Sequence, residues 1–181
     1  MSSQLPVPED DGAADHLVGH AAPTSTLPST SGEDVDLSAL PPGRTVLYLY
    51  PMTGQPGHEP PDGWAQIPGA QGCTSEACSF RDHHQDLRDV GVEEVFGVST
   101  QSTDDQTEAA QRLRLPFPLL SDVDQRLGDE LALPTFEADG KMLYRRLTLV
   151  IRDGRVEHAF YPVFPPDSHA EDVLDWLRKH Q

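Results

Sequence analysis

Three short runs of β-forming residues constrain the fold of this chain most strongly. The runs are residues 45–50, 94–99 and 147–151. Each is apolar nearly throughout, which predicts strands that are buried on both faces of a sheet. Helical patterns lie between them, at residues 74–90 and 103–114, and an amphipathic helix begins after Ser168. This alternation of strands and helices predicts an α/β fold.

The end of the chain completes the pattern. Asp153 and Gly154 predict a tight turn before a strand at residues 156–161. We therefore predict a three-layer sandwich of thioredoxin type, with a central mixed β-sheet flanked by helices, formed as a single domain by residues 16–181. Residues 1–15 are acidic and contain proline, and we expect a flexible tail there.

Charge excludes several classes of partner. The formal net charge is −17, which argues against binding to nucleic acid or to anionic membranes. No apolar run approaches the roughly 20 residues of a membrane-spanning helix, and the N-terminus has neither the basic region nor the apolar core of a signal peptide. We expect a cytoplasmic protein. In that compartment a pair of cysteines favours redox chemistry over a structural disulfide.

The two cysteines, Cys73 and Cys78, lie where a loop rich in proline and glycine runs into the helical pattern. A thiol in the first turn of a helix faces unpaired backbone N–H groups and the positive end of the helix dipole. Both favour the thiolate, which is the nucleophilic form. Cys73 has this position, whereas Cys78 lies more than one turn further along.

The five-residue spacing has a geometric consequence. In an intact helix it places the two Cα atoms roughly 8–9 Å apart. A disulfide requires Cα atoms closer than about 7 Å. The pair therefore suits a cycle in which the helix is intact in one state and its first turn unwinds to form the disulfide in the other.

Several segments, in order, resemble the peroxiredoxins, and among them the Q-type or bacterioferritin-comigratory proteins. The resemblance extends from about residue 17 to residue 180. Its segments are Gly19–Pro23, Val46–Pro51, Gly72–Asp82, Phe96–Ser99, Phe117–Asp122 and Arg146–Gly154. The segment around the two cysteines is the most specific of these.

The resemblance implies a thiol peroxidase without a metal or organic cofactor. Cys73 is then the peroxidatic cysteine, which becomes a sulfenic acid, and Cys78 is the resolving cysteine. Arg146 is expected to hold the thiolate and to polarise the peroxide, and Glu76 to orient that arginine. The implied partners are a peroxide and thioredoxin or another thiol reductant, and the protein is expected to be a monomer.

One position departs from the family pattern. A threonine or serine is expected three residues before the peroxidatic cysteine, but this chain has Ala70 there. Thr53 and Thr74 are the two candidates to supply the missing hydroxyl, and Pro51 and Thr74 are candidate substrate contacts. Residues 58–71 resemble an insertion in the active-site loop, which includes Trp64 and Ile67.

Alternatives remain open. Cys78 could simply pack in the helix, and Arg145 could replace Arg146, since neighbours on a strand face opposite sides. His83 and His84 near Cys78 raise the question of a metal site, although zinc sites usually supply a second pair of ligands. Other functions compatible with the pair of cysteines are a redox sensor that binds a partner and a thiol–disulfide oxidoreductase.

Overall fold

The computed structural model describes residues 5–181. The strands are β1 (Thr26–Leu27), β2 (Val35–Asp36), β3 (Arg44–Leu49), β4 (Val92–Ser99), β5 (Leu119–Ser121), β6 (Thr135–Ala138), β7 (Lys141–Tyr144), β8 (Leu147–Arg152) and β9 (Arg155–Phe160). The α-helices are α1 (Cys73–Asp82), α2 (His84–Asp89), α3 (Thr103–Arg112), α4 (Arg126–Leu131) and α5 (His169–Lys179). Single 3₁₀ turns occur at Leu37–Ala39, Trp64–Gln66 and Pro166–Ser168.

Five strands form the central sheet, in the order β5-β4-β3-β8-β9. Strand β3 pairs in parallel with β4 and antiparallel with β8, and β9 continues the antiparallel half. The mixed sheet confirms the prediction. All six residues of β3 are buried, as expected of a central strand with both faces covered.

The side chains of β3 alternate between two cores. Val46 and Tyr48 belong to a core that includes Phe80 of α1 and Val173 and Leu177 of α5. Successive side chains of a strand point to opposite faces, so the intervening leucines belong to the core on the other face.

That second core lies on the other side of the sheet. Leu47 and Leu49 pack there with Leu127 and Leu131 of α4 and with Leu17 from the N-terminal segment. One helical layer therefore covers each face of the sheet, which confirms the predicted three-layer sandwich of thioredoxin type.

The helix that contains the two cysteines is shorter than the sequence predicts. One helix was expected over residues 74–90, but the chain forms α1 and α2 with a break at His83. The His83 ring contacts the carbonyl of Ser79 through Nδ1, at 2.9 Å. The apolar stripe continues through the break, since both Phe80 and Leu87 are fully buried. The periodicity of the sequence therefore does not reveal the break.

The hairpin formed by β6 and β7 is an addition to the sequence-based expectation. It forms its own two-stranded sheet. Its Leu143 and Ala138 pack with Trp64 and Ala70 in a small third core. The segment expected to be an insertion is thus anchored by its own hydrophobic contacts to this hairpin.

The N-terminal segment contacts the domain within the described residues. Ala14 is buried, and the Tyr161 hydroxyl donates a hydrogen bond to the Asp11 carboxylate at 2.8 Å. The flexibility expected of residues 1–15 stays a prediction.

The caps of two helices differ from each other. Ser102 accepts a hydrogen bond from the Asp105 amide and caps α3, whereas Ser168 makes no such side-chain bond before α5.

Within residues 5–181, none of the helices combines the length and the apolar character that crossing a membrane requires.

Candidate active site

Cys73 is the first residue of α1 and follows a glycine that the local geometry requires. Gly72 has φ = 114°, a conformation that side chains rarely adopt. A Cβ atom at this position would lie 2.4 Å from Cγ of Pro166. Glycine thus allows the loop to turn into the helix against Pro166, and it places the thiol at the helix start, where the sequence predicts it.

Arg146 is the residue that contacts the thiol. Its Nη2 atom lies 3.3 Å from Sγ of Cys73, and its Nη1 atom donates to Oε1 of Glu76 at 2.8 Å. The same Nη2 atom is also within hydrogen-bond distance of the carbonyls of residues 69 to 71, at 3.2–3.4 Å. Arg146 is 3% exposed and lies immediately before β8. The sheet therefore fixes one end of the side chain, and the loop before α1 fixes the other.

Arg145, the alternative to Arg146, lies elsewhere. Its guanidinium stacks over the Phe136 ring, 5.5 Å from the ring centroid. The two neighbouring arginines therefore have different surroundings, and Arg146 is the one at the thiol.

Opposing effects act on the acidity of Cys73. The residue is 4% exposed, and burial raises the pKa of the thiol. The Arg146 guanidinium and the Met52 amide lower this pKa, but burial is the largest effect and the net shift is upward. From sequence alone, the helix start and the arginine predict a lowered pKa for Cys73. Loss of water from around the sulfur was the omitted contribution.

Glu76 completes the buried charge pair. It is fully buried, and burial raises its pKa to about 7 in spite of the opposing effect of Arg146. Its second oxygen, Oε2, has no hydrogen-bond partner within residues 5–181. Because its pKa is about 7, the Glu76 carboxyl group is partly protonated near neutral pH. It therefore orients the arginine without fully neutralising the charge of the guanidinium at every pH.

Cys78 lies in the body of the same helix. It is half-buried, and both cysteines are free thiols. Because α1 is continuous from Cys73 to Asp82, the roughly 8–9 Å separation of Cα atoms expected for an intact helix applies to this state. A disulfide between the two requires the first turn to open.

The hydroxyl groups proposed to replace the missing one do not bond to Cys73. Thr53 is buried, and its hydroxyl donates to Oε1 of Gln101 at 3.4 Å. Thr74 is exposed on the surface next to Cys73. Among residues 5–181 neither threonine donates a hydrogen bond to the sulfur, so the structure does not support the expectation that Thr53 folds back onto it.

The space around Ala70 is filled. Ala70 is fully buried and packs in the third core with Trp64 and Leu143. Its carbonyl accepts from Arg146 and lies 3.7 Å from the Cys73 sulfur. The position thus contributes a backbone acceptor, and its side chain contributes packing.

Sequence reasoning missed residues that hold the loop. Gln101 accepts from the Thr53 amide at 3.1 Å and donates to the Thr53 carbonyl at 3.2 Å. Pro51 is buried just before this clamp and is not among the residues that line the cavity next to Cys73. Gln101 lies two residues after the end of a predicted strand, and the carboxyl ends of parallel strands often carry functional groups. That position was the available signal.

A cavity of about 1160 Å³ opens beside Cys73 and Thr74. Its walls come from residues 52–65, from the start of α1, from residues between 100 and 125, and from the β6–β7 hairpin. The predicted insertion therefore forms one side of the approach to the thiol.

The histidines near Cys78 have separate contacts. His84 lies beside the Phe117 ring, and Nε2 of His83 is 3.6 Å from a carboxylate oxygen of Glu171. Within the described residues, no group of three or more histidine, cysteine or acidic side chains is arranged to hold a metal ion.

Comparison with known proteins agrees with this arrangement. Residues 17–174 match the Redoxin family. Peroxiredoxin Bcp of Escherichia coli (strain K12) is 32% identical over 168 residues, which cover 90% of this chain and 96% of that protein. The chloroplastic peroxiredoxin Q of Sedum lineare is 29% identical over 160 residues, covering 88% and 77% of the two chains. The crystal structure of peroxidoxin BcpB from Mycobacterium tuberculosis superposes with a TM-score of 0.74 at 29% identity, covering 92% of this chain and 99% of the other.

Proposed function

Since the chain belongs to the Redoxin family, and within it to the peroxiredoxins of the Bcp and Q type, we propose that Cys73 is the peroxidatic cysteine and Cys78 the resolving cysteine of a thiol-dependent peroxidase. The substrates are hydrogen peroxide and organic hydroperoxides. The observation that carries this proposal is the contact between the Arg146 guanidinium and the sulfur of Cys73 at the start of α1.

Oxidation begins with the thiolate. The Cys73 sulfur attacks the nearer peroxide oxygen, the O–O bond breaks, and the leaving oxygen takes a proton to become water or an alcohol. Cys73 becomes a sulfenic acid, so sulfur is oxidised and the peroxide is reduced. The fixed charge of Arg146 stabilises the thiolate before attack and the negative charge that develops on the leaving oxygen.

Resolution requires a change of structure. The first turn of α1 unwinds, and the Cys78 thiolate attacks the Cys73 sulfenic acid. An intramolecular disulfide forms and the sulfenic oxygen leaves as water. Thioredoxin or another dithiol then reduces the disulfide and returns both thiols. We further propose that the protein works as a cytoplasmic monomer, since both cysteines of the cycle are in one chain.

A coupled assay tests the assignment of roles. Thioredoxin, its reductase and NADPH are supplied with hydrogen peroxide, and NADPH consumption is followed. Wild type is expected to turn over continuously, and Cys73→Ser is expected to lose activity by at least about 1,000-fold, because a serine hydroxyl is a far weaker nucleophile than a thiolate at neutral pH. Cys78→Ser is expected to complete one oxidation and then stop.

Two outcomes would change the proposal. If Cys78→Ser lost the first oxidation, the two roles would be assigned wrongly. If wild type consumed one equivalent of peroxide and then stopped in the presence of several thiol reductants, the pair of cysteines would serve a redox sensor.

A further inference from the structure

The cavity next to Cys73 is far larger than hydrogen peroxide needs. Its volume of about 1160 Å³ is slightly above the roughly 300–1,000 Å³ of typical small-molecule sites. Part of its wall is apolar and comes from Met52, Trp64, Met142 and Leu143. Trp64 and Leu143 are held in the third core, so this wall is anchored in place. Such a wall suits the organic part of a hydroperoxide.

The charged side chains that line the cavity are predominantly acidic. Four carboxylates line it, from Glu59, Asp62, Asp105 and Asp139, and Lys141 is the one lysine or arginine side chain among the lining residues. Four negative charges and one positive charge give these side chains a formal net charge of −3. Within residues 5–181 none of these four carboxylates lies within 4.0 Å of a cationic side chain. These charges therefore act on whatever enters the cavity.

Arg146 does not compensate for this acidity. Its side chain is 2% exposed, its guanidinium pairs with Glu76, and three backbone carbonyls surround Nη2. The field at the cavity entrance is set by the exposed side chains, and the chain as a whole carries a formal charge of −17. An anionic substrate consequently meets repulsion before it reaches the arginine.

We propose that this cavity selects neutral organic hydroperoxides over hydroperoxides that carry a negative charge, with Glu59 and Asp62 of the inserted loop as specificity-determining residues. The inference rests on the proposed peroxidase function and goes beyond it, because the chemistry at sulfur is the same for both kinds of substrate. In each case the thiolate becomes a sulfenic acid and the hydroperoxide becomes an alcohol after taking one proton. The difference arises in approach and binding.

A matched pair of substrates tests the proposal. Cumene hydroperoxide with a carboxylate in the para position is compared with its methyl ester, and hydrogen peroxide serves as reference for the chemistry. The rate constant for Cys73 oxidation is measured by stopped-flow fluorescence at low salt. The ester is expected to react about fivefold or more faster than the carboxylate, and this ratio is expected to fall towards one in 0.5 M NaCl, because salt screens exposed charges.

Two double variants locate the effect. Glu59→Gln with Asp62→Asn is expected to lower the ester-to-carboxylate ratio by about half or more, since two of the repelling charges are removed. Glu33→Gln with Asp34→Asn changes the net charge equally at exposed positions outside the cavity and is expected to leave the ratio unchanged. The ratio is compared because changes in overall reactivity cancel in it.

The possible failures are distinguishable. If wild type oxidises rapidly with hydrogen peroxide but the ester and carboxylate react equally fast, the charge selection is wrong and the peroxidase function stands. The proposed charge selection by Glu59 and Asp62 is likewise wrong if both double variants change the ester-to-carboxylate ratio to the same extent. If hydrogen peroxide itself does not oxidise Cys73, the proposed function fails, and the inference fails with it.

Discussion

The two cysteines of α1 lie on one helix, yet their surroundings differ in almost every respect. Cys73 is 4% exposed, touches a buried arginine and follows a glycine of unusual backbone conformation. Cys78 is half-buried and lies in the regular part of the helix. The surroundings of Cys73 thus come largely from parts of the chain distant in sequence, above all Arg146, whereas Cys78 lies in regular helix. In the proposed cycle, attack on peroxide depends on these surroundings, and resolution depends on movement of the helix.

Among changes outside the two cysteines, the largest effect is expected from disrupting the surroundings of Cys73. We expect Arg146→Gln to slow oxidation of Cys73 by about 100-fold, the usual order for loss of one donor to developing charge. Oxidation in wild type rises with pH as the thiol ionises. Without Arg146 burial is less opposed, so the pKa of Cys73 rises further and the pH profile shifts upward. Stopped-flow fluorescence between pH 5 and pH 9 measures both changes.

Arg145→Gln is the matched control for this change. The Arg145 guanidinium stacks on Phe136. We expect Cys73 oxidation in this variant to stay within about threefold of the wild-type rate. Equal losses in the two variants would contradict the assignment of Arg146.

The next effect tests whether opening of the first turn of α1 limits disulfide formation. Gly72→Ala forces an unfavourable backbone conformation, which costs about 1–3 kcal/mol, and pushes against Pro166. Unwinding of the first turn relieves both, so we expect disulfide formation after oxidation to be about tenfold faster. Quenched-flow trapping of free thiols follows this step directly.

Gly54→Ala provides the comparison, since Gly54 has no positive φ and no neighbouring atom within 4 Å of an added Cβ. A slower or unchanged step in Gly72→Ala would mean that opening of this turn does not limit resolution.

A smaller effect is expected at the position that departs from the family pattern. Ala70→Thr adds two heavy atoms in a filled core beside Trp64 and Leu143. We expect it to lower the free energy of unfolding by about 1–3 kcal/mol in urea titrations without increasing the rate of Cys73 oxidation. Ala65→Thr, at an exposed position in the same loop, should be near neutral. A faster oxidation in Ala70→Thr would show that the site lacks only the hydroxyl.

The smallest effect concerns the charge pair. Because the pKa of Glu76 is raised to about 7, the folded protein binds more protons there than the unfolded chain does between about pH 4.5 and pH 7. This contribution to stability is present at low pH and is lost as the pH rises to 7. Glu76→Gln removes it, so the stability difference between variant and wild type should move in favour of the variant by about 2 kcal/mol from pH 5 to pH 7.5.

Glu108→Gln controls for loss of a surface pair, because Glu108 pairs with Arg112 on the exposed side of α3. A difference between Glu76→Gln and wild type that does not vary with pH would show that Glu76 ionises normally.

The sequence predicted those parts of the molecule that local patterns determine. Strands such as β3 and β8 have mostly apolar sequences, and the segment around Cys73 and Cys78 has a specific spacing, so both were found. The β6–β7 hairpin was missed because its strands are four residues long and half polar, and it becomes stable only by packing against Trp64.

The electrostatic balance at the site was not available from sequence. A helix start and an arginine indicate a stabilised thiolate, but the extent of burial depends on contacts between distant segments. Met52 and Gln101 act through backbone and amide contacts that no motif encodes. Likewise, Thr53 has a hydroxyl in the right stretch of sequence, and only its partner in the fold shows that it is used elsewhere.

The most direct test of the account adds one equivalent of hydrogen peroxide to the reduced protein and measures intact mass with and without alkylation of thiols. We predict a loss of two hydrogen atoms, with both Cys73 and Cys78 protected from alkylation, and the same result at high dilution. A gain of one oxygen with Cys78 still open to alkylation would contradict the proposal that unwinding of α1 brings the two cysteines together.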